Sequence, residues 1–288
     1  MTDGGVRDRV VLLTGATGGI GRALARAFVD AGMRVGLADI EAGALERLSG
    51  ELGPERTFPV AVDVSDHVAA AEAVERTREH FGALHCLVNN AGLGMSEVSP
   101  EHFNRILQIE EVTPEVLLRV MHVNMCGGFF MARAAVPIFR RQHWGRIVNA
   151  TTSLSTMIRP GFTPYGPAKA AFEAWTAGLA GELTGTGITV NVVTPGGGTD
   201  TPMVPQQSGF PREALIRPEW MAPPMVYLFS DAASSVTGRR FIAALWDRDA
   251  PAAEAAARAG APVAWTELAT RAIEPARSRD AIAGAANR

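Results

Sequence analysis

The chain has 288 residues, enough for one large α/β domain with a sizeable buried core. Its formal net charge of -3 argues against nucleic-acid binding, because that activity usually depends on a basic patch. Two cysteines are too few for a disulfide framework, and no His and Cys cluster has metal-ligand spacing, so we expect no bound metal. The apolar stretches are too short to span a bilayer, and the first residues lack a secretory signal pattern. We therefore expect a cytoplasmic protein that binds neither nucleic acid nor membrane.

Short apolar or β-branched segments alternate with helix-length amphipathic segments along the chain. The predicted strands are 10–13, 34–38, 57–62, 84–88, 146–150, 189–193 and 240–243. Strands that alternate with helices favour right-handed crossovers and a parallel sheet covered on both faces. We therefore expect an α/β, Rossmann-type doubly wound fold with a seven-stranded, mainly parallel sheet.

Two regions depart from this alternation. Residues 196–224 are rich in Gly, Pro and Met, which predicts a long irregular loop with short helices. After Trp246 the composition shifts to Ala and Arg. We therefore predict a single domain over 1–249 and an Ala- and Arg-rich C-terminal extension over 250–288.

Three glycines, Gly15, Gly19 and Gly21, lie between the first predicted strand and a helical pattern. Glycine permits unusual turn dihedrals, and without a Cβ it lets a pyrophosphate approach closely. The amides and dipole at the start of the helix favour an anion there. The turn predicts a binding site for a phosphate-bearing cofactor.

Asp39 ends the second predicted strand, 18 residues after Gly21. An acidic side chain at this position accepts hydrogen bonds from the adenosine ribose and repels a 2′-phosphate. The next residue, Ile40, is not basic. We therefore expect NAD rather than NADP.

Tyr165 and Lys169 are four residues apart, which places them on one face of a helix. A nearby ammonium favours the ionised form of a tyrosine and lowers its pKa. Such a tyrosine can exchange a proton with an alcohol or carbonyl oxygen while a hydride moves to or from a nicotinamide.

Together these residues resemble the short-chain dehydrogenase/reductase family, and the matching motifs run in family order along most of the chain. They are Thr14-Gly15-x-x-x-Gly19-x-Gly21, Asp63-Val64, Asn89-Asn90-Ala91-Gly92, Asn124, Tyr165-x-x-x-Lys169 and Pro195-Gly196. The resemblance implies catalysis by Tyr165 as acid and base, with Lys169 as its electrostatic partner and Asn124 holding a water in a proton relay. It also implies cofactor contacts from Gly15, Thr17, Gly19, Ile20, Gly21, Asp39, Asp63, Val64, Asn90, Gly92, Tyr165, Lys169, Pro195, Gly196 and Thr201.

The chain departs from the family pattern at several positions. The family usually places a serine thirteen residues before the tyrosine, where this chain has Thr152 followed by Ser153. Since Thr carries the same hydroxyl, we assign the substrate contact to Thr152. Thr199 and Thr201 both offer the hydroxyl expected near the nicotinamide, and Thr201 aligns better.

The segment 93–123 is longer than the family usually has before its asparagine, and two interpretations are open for it. It is either a cap over the substrate or an amphipathic insert packed on the surface. We expect the apolar loop 196–224 to be a mobile lid over a largely apolar substrate, the alternative being that its side chains pack on the protein or on another subunit.

The leading hypothesis is an NAD-dependent oxidoreductase that acts on a secondary alcohol or ketone. An NADP-dependent carbonyl reductase is the second hypothesis, and a catalytically silent NAD-binding scaffold or sensor is the third. The family resemblance also implies a homodimer or homotetramer.

Overall fold

The computed structural model describes residues 5–269, so residues 270–288 of the predicted extension lie outside the described residues. The strands are β1 Val10–Thr14, β2 Arg34–Asp39, β3 Thr57–Ala61, β4 Cys86–Asn89, β5 Gly145–Ala150, β6 Ile188–Thr194, β7 Arg239–Ile242 and β8 Gly260–Pro262. The helices are α1 Gly19–Asp30, α2 Ala42–Leu52, α3 His67–Phe81, α4 Pro114–Met121, α5 Gly127–Gln142, α6 Leu154–Met157, α7 Tyr165–Glu182, α8 Ala222–Phe229, α9 Ala252–Ala259 and α10 Thr266–Ala269.

All eight strands form one sheet in the order β3-β2-β1-β4-β5-β6-β7-β8. The first seven are parallel, and β8 is antiparallel to β7. The strand order reverses between β1 and β4. In open α/β sheets the crevice at the carboxyl ends of such neighbouring strands is where ligands bind. The predicted doubly wound, mainly parallel fold is confirmed.

The sheet is buried on both faces, as the near-continuous apolar strands predict. In β1, Val11 and Leu13 pack with the core formed by α1, α2, α8 and α9. The alternate residues Val10 and Leu12 pack with the opposite core, formed by α3, α5 and α7. None of the helices within residues 5–269 combines the length and apolar character needed to span a bilayer.

The prediction of seven strands is wrong by one. The eighth strand, β8, has the sequence Gly-Ala-Pro and pairs with Arg239–Ile242 at the edge of the sheet. It follows helix α9 in the predicted extension. A three-residue strand with no β-branched side chain carries no sequence signal, and only pairing with β7 creates it.

Helix α7 begins at Tyr165, with Pro164 as its N-cap. The pair Thr163-Pro164 is typical of a helix cap followed by a first helical residue, so the helix starts one residue later than this pattern predicts. Pro167 is therefore the third helical residue, where a missing N–H costs no intrahelical hydrogen bond. Lys169 follows one turn after Tyr165 on the same side of the helix.

Candidate active site

The glycine turn between β1 and α1 requires glycine at two positions for different reasons. Gly15 has a φ of +65°, in the left-handed region. At Gly21 a Cβ would lie 1.9 Å from the Gly15 carbonyl oxygen, so no side chain fits there. Ile20, at the start of α1, lines a cleft beside the turn that Tyr165, Lys169 and Thr201 also line. The turn therefore accepts no side chain at either of these two glycine positions.

Asp39 lies against this turn at the end of β2. Its carboxylate accepts hydrogen bonds from the backbone N–H and the hydroxyl of Thr17, at 2.9 and 2.7 Å. Ile40 beside it is exposed and also donates its N–H to the Asp39 carboxylate, at 2.8 Å. The Asp39 carboxylate therefore lies next to the glycine turn, and the neighbouring Ile40 is not a basic residue.

Two predicted adenine contacts lie further along the same edge. Asp63 is exposed and accepts hydrogen bonds from the N–H and hydroxyl of Ser65, at 2.9 and 2.7 Å. Val64 is buried and packs against Gly127 at the start of α5. Neither residue lines the cleft around Tyr165.

Asn90 connects β4 to the glycine turn. Its side-chain amide donates to the carbonyls of Thr14 and Gly15, both at 3.1 Å, and its own N–H donates to the Thr14 hydroxyl at 3.0 Å. Asn90 thus shapes the turn and also lines the cleft. Two residues on, a Cβ at Gly92 would lie 3.3 Å from Asn124 Oδ1 and 3.4 Å from Lys169 Nζ.

Asn124 lies in a π-helical turn, His122–Cys126, that joins α4 to α5. Its side chain is buried, and both of its ends bond to the backbone of Leu93. Oδ1 accepts from the Leu93 N–H at 2.7 Å, and Nδ2 donates to the Leu93 carbonyl at 2.9 Å. A π-turn inside a helix is frequent at functional sites, and no sequence pattern predicts this one.

Tyr165, Thr152 and Lys169 converge at the carboxyl end of β5. Tyr165 and Thr152 line the same cleft, with the Thr152 hydroxyl close enough to influence the Tyr165 pKa. Lys169 is buried, and its ammonium donates to the Ala150 carbonyl at 3.0 Å. Ser153 instead caps α6, where it accepts the Thr156 N–H at 3.2 Å. The hydroxyl next to Tyr165 is therefore that of Thr152.

Burial dominates the proton equilibria of this pair. It raises the pKa of Tyr165, and the neighbouring Thr152 hydroxyl offsets part of that rise. Burial also lowers the pKa of Lys169 from 10.5 to about 8. The pKa of Tyr165 is therefore raised, whereas a nearby Lys169 ammonium alone would lower it. The reason is that both side chains are buried, and burial disfavours the charged form of each.

The Lys169 pKa can be measured directly, because Lys169 is the only lysine in the chain. Protein that carries isotopically labelled lysine should give a single side-chain signal whose pH titration has its midpoint near 8. The folded state then binds fewer protons than the unfolded state between pH 8 and 10.5, so this group makes folding more favourable as pH rises through that range. A midpoint at the ordinary value would contradict burial of the ammonium.

The segment 93–123 contributes to the cleft. Met95, His102 and Phe103 line it. Leu107 packs with Met95 and Phe162 in a small apolar cluster that also touches Tyr165. Ile106, in contrast, is exposed. The first part of the segment thus covers the cleft beside Tyr165, as the cap interpretation supposes.

The loop after β6 covers the opposite side. Thr201 packs on Gly19, where a Cβ would lie 2.6 Å from Thr201 Cγ2. Thr199 instead forms a bridge with Ile216. Met203 packs against Gly94 of the facing segment. Thr201 is therefore the threonine that faces the glycine turn, although both threonines line the cleft.

The remaining two predicted cofactor residues begin this loop. Pro195 lines the cleft, and its carbonyl accepts the Ala244 N–H at 3.0 Å. Gly196 has a φ of +105°, and a Cβ there would lie 2.7 Å from Ile242 of β7. The hydrogen bond and the close approach both fix the loop's first residues to the end of the sheet.

The cleft also contains residues that sequence reasoning did not single out, namely His102, Arg159 and Phe162. They belong to no motif, and only the folding of 93–123 and of the segment before α7 brings them together. The cavity has a volume of about 190 Å³. That volume is below the roughly 300–1,000 Å³ of typical small-molecule sites. Within residues 5–269 no group of three or more His, Cys, Asp or Glu side chains is arranged to hold a metal.

A buried ion pair between Glu173 and Arg240 holds the residues that follow β5, and no sequence pattern predicted it. Glu173, fully buried on α7, accepts from Arg240 Nε at 2.7 Å and from the Thr151 hydroxyl at 2.8 Å. Arg240 also donates to the carbonyl of Thr152. The N–H of Ala264, beyond β8, donates to the same carboxylate at 3.2 Å. One buried pair therefore connects α7, β7, the residues after β5 and the C-terminal extension.

Comparison with known proteins agrees with this geometry. The model of the family described as short chain dehydrogenase matches residues 9–210. The chain is 32% identical over 245 residues to a 3-oxoacyl-[acyl-carrier-protein] reductase of Thermotoga maritima, covering 81% of this chain and 95% of the relative. It is 36% identical over 200 residues to 2-(R)-hydroxypropyl-CoM dehydrogenase of Xanthobacter autotrophicus, covering 68% and 76%.

A solved structure shares the fold along the same length. It is the 3-ketoacyl-(acyl-carrier-protein) reductase from Brucella melitensis complexed with NADH, with a TM-score of 0.71 and 30% sequence identity. The match covers 81% of this chain and 95% of that one. With the parallel sheet, the glycine turn and the matched residues, these similarities show that the chain belongs to the short-chain dehydrogenase/reductase family of oxidoreductases.

Proposed function

We propose that this protein transfers a hydride between NAD(H) and a secondary alcohol or ketone, with Tyr165 as the proton donor and acceptor. The observation that carries the proposal is that Tyr165, Thr152 and Lys169 line one cleft, where Lys169 is held by its hydrogen bond to the Ala150 carbonyl. A bound nicotinamide supplies or accepts the hydride. Tyr165 exchanges the proton with the substrate oxygen, and Thr152 holds that oxygen by a second hydrogen bond.

The residues present fit a dinucleotide. Glycine at position 21 lets α1 start directly against the turn, because a Cβ there would strike the Gly15 carbonyl, and a helix N-terminus favours a phosphate. Gly92 likewise leaves the approach to Lys169 free of side-chain atoms. We assign the nicotinamide end to Pro195 and Thr201, which line the same cleft as Tyr165. Lys169 would position the nicotinamide ribose and Asn124 would hold the relay water.

The loop 196–224 is proposed to act as a lid. Thr201 and Met203 close on Gly19 and Gly94, and the remaining cavity of about 190 Å³ is small for a nicotinamide and a substrate together. An ion pair between Arg212 and Asp200 connects two parts of this loop. Displacement of this segment as one unit would open the cleft.

We propose NAD rather than NADP, because the Asp39 carboxylate stands where a 2′-phosphate would approach. The NADH complex of the similar Brucella melitensis reductase is compatible with this assignment. The competing hypothesis of an NADP-dependent carbonyl reductase requires Asp39 to move aside or to be neutralised.

The cofactor preference can be tested with Asp39→Asn, which removes the charge and keeps an oxygen to accept from Thr17. We expect the wild type to bind NADH at least about tenfold more tightly than NADPH, and Asp39→Asn to reduce that ratio by about tenfold, equal to about 1.4 kcal/mol. Fluorescence titration gives both dissociation constants. Asp30→Asn, an exposed change of the same kind on α1, is the control and should leave the ratio unchanged. Equal affinities in the wild type would favour the competing hypothesis.

The activity itself is tested by following reduced nicotinamide across a panel of secondary alcohols and ketones. Turnover with any member rejects the hypothesis of a catalytically silent scaffold or sensor. Tight NADH binding without turnover across a chemically broad panel would favour it instead.

The family resemblance also leads us to propose a homodimer or homotetramer. Leu118 on α4 and Phe129 on α5 are exposed, and Phe129 contacts Trp175 of α7 with ring centroids 5.8 Å apart. These apolar side chains lie on neighbouring helices, which supports contact with a second copy there.

A further inference from the structure

The cleft beside Tyr165 contains basic side chains and no acidic ones. Its ionisable residues are Lys169, His102, Arg159 and Tyr165 itself. None of the Asp or Glu side chains in the described part of the chain lines it. This composition contrasts with the whole chain, whose formal net charge is -3. The cleft therefore favours an anionic ligand in a protein that is otherwise slightly acidic.

Lys169 has an assigned role, and its ammonium is already bonded to the Ala150 carbonyl. Arg159 is different, because it is exposed and lies within 4 Å of no carboxylate among residues 5–269. Its guanidinium lies over the ring of Phe162, 4.4 Å from the ring centroid. Phe162 itself packs beside Tyr165. Arg159 thus supplies an uncompensated positive charge at the edge of the cleft, held in place by an aromatic face.

Much of the remaining lining of the cleft is apolar. Met95, Phe103 and Phe162 come from one side, and Met203 and Val204 come from the loop after β6. A ligand that contacts both ends must have a hydroxyl or carbonyl carbon at Tyr165, an apolar middle, and a group that suits a guanidinium. Guanidinium binds carboxylate and sulfonate groups by paired hydrogen bonds, and it is weakly hydrated, so its desolvation costs less than that of an ammonium.

We propose that Arg159 determines specificity for substrates that carry a carboxylate or sulfonate at the end remote from the reacting carbon. The inference rests on the proposed function and narrows its substrate class. His102 adds a second polar group to the same cleft. Its Nδ1 lies 2.9 Å from the Ser99 carbonyl, which in the neutral ring fixes the proton on Nδ1 and leaves Nε2 as an acceptor.

The test compares alkanoic acids hydroxylated on the penultimate carbon with their methyl esters and with the matching sulfonates. We expect kcat/KM for the acids to exceed that for the esters by at least about tenfold in the wild type. Arg159→Gln should remove that preference, mainly by raising KM for the acids, whereas Arg159→Lys should retain part of it. The sulfonates distinguish a general monoanion site from one fitted to a planar carboxylate. Arg133→Gln, an exposed arginine on α5 outside the cleft, is the matched control and should keep the preference.

Calorimetric titration of the same acids into the wild-type and Arg159→Gln complexes with NADH separates this inference from the proposed function. Turnover of esters and neutral alcohols without preference for the acids overturns the role of Arg159 and leaves the proposed function intact. Absence of all turnover overturns the proposed function, and binding of the acids that is unchanged in Arg159→Gln overturns the role of Arg159 independently. Acid binding that weakens at least about tenfold in Arg159→Gln supports it.

Discussion

Replacement of Tyr165 by Phe should lower kcat by about 10²–10⁴-fold, because it removes the hydroxyl that we propose exchanges a proton with the substrate oxygen. The change deletes one oxygen atom and keeps the ring that packs beside Met95, Leu107 and Phe162. Binding of NADH should therefore remain close to that of the wild type. Steady-state turnover and fluorescence titration of NADH measure the two effects separately.

The chain offers a matched control, since Tyr227 is its only other tyrosine. Tyr227 is half-buried on α8 and packs against Trp246, with ring centroids 5.7 Å apart. Tyr227→Phe should leave turnover unchanged. Substantial turnover in Tyr165→Phe, or an equal loss in both variants, would exclude Tyr165 as the acid and base.

Loss of one partner of the buried Arg240–Glu173 pair should lower the free energy of unfolding by about 3–5 kcal/mol. Glu173 has no exposed surface and Arg240 is 5% exposed, so either variant leaves a charge in the core without its partner. Glu173→Leu and Arg240→Met should each show the effect in urea denaturation. The double variant should be more stable than the sum of the two losses implies, since it buries no unpaired charge.

An exposed pair on the same helix provides the comparison. Glu182, at the end of α7, lies 3.4 Å from Arg140 of α5, and both side chains are about half exposed or more. Glu182→Leu should cost less than about 1 kcal/mol. Equal losses at Glu173 and Glu182 would mean that burial adds nothing to the importance of the inner pair. Strictly additive losses at Glu173 and Arg240 would mean that the two residues are not coupled.

The buried pair also bears on catalysis, because Arg240 holds the carbonyl of Thr152 and Glu173 holds the hydroxyl of Thr151. Tyr165, Lys169 and Glu173 are spaced four apart and follow one side of α7. The same helix face therefore carries the proposed acid and base, its ammonium partner and the carboxylate that fixes the neighbouring loop.

The residues that the sequence identified are those whose local spacing already limits their role. The glycine turn, the strand-end Asp39 and the Tyr165–Lys169 pair each combine a residue type with a position at the end of a strand or on a helix turn. Lys169 is also the only lysine among 27 basic Lys and Arg residues. An arginine cannot substitute there in the same way, because it does not lose its proton in a protein and its charge is spread over a larger planar group.

By itself the sequence determined the α/β class and the order of the first seven strands along the chain, because apolar periodicity and glycine placement act over a few residues. Only the tertiary structure shows that Ser153 caps α6, which leaves Thr152 as our proposed substrate contact. It also decided that Met95, His102 and Phe103 line the cleft, that Gly260–Pro262 extends the sheet, and that Arg240 meets Glu173. These contacts join residues far apart in the chain, and they form because packing, not local preference, selects which surfaces are buried together.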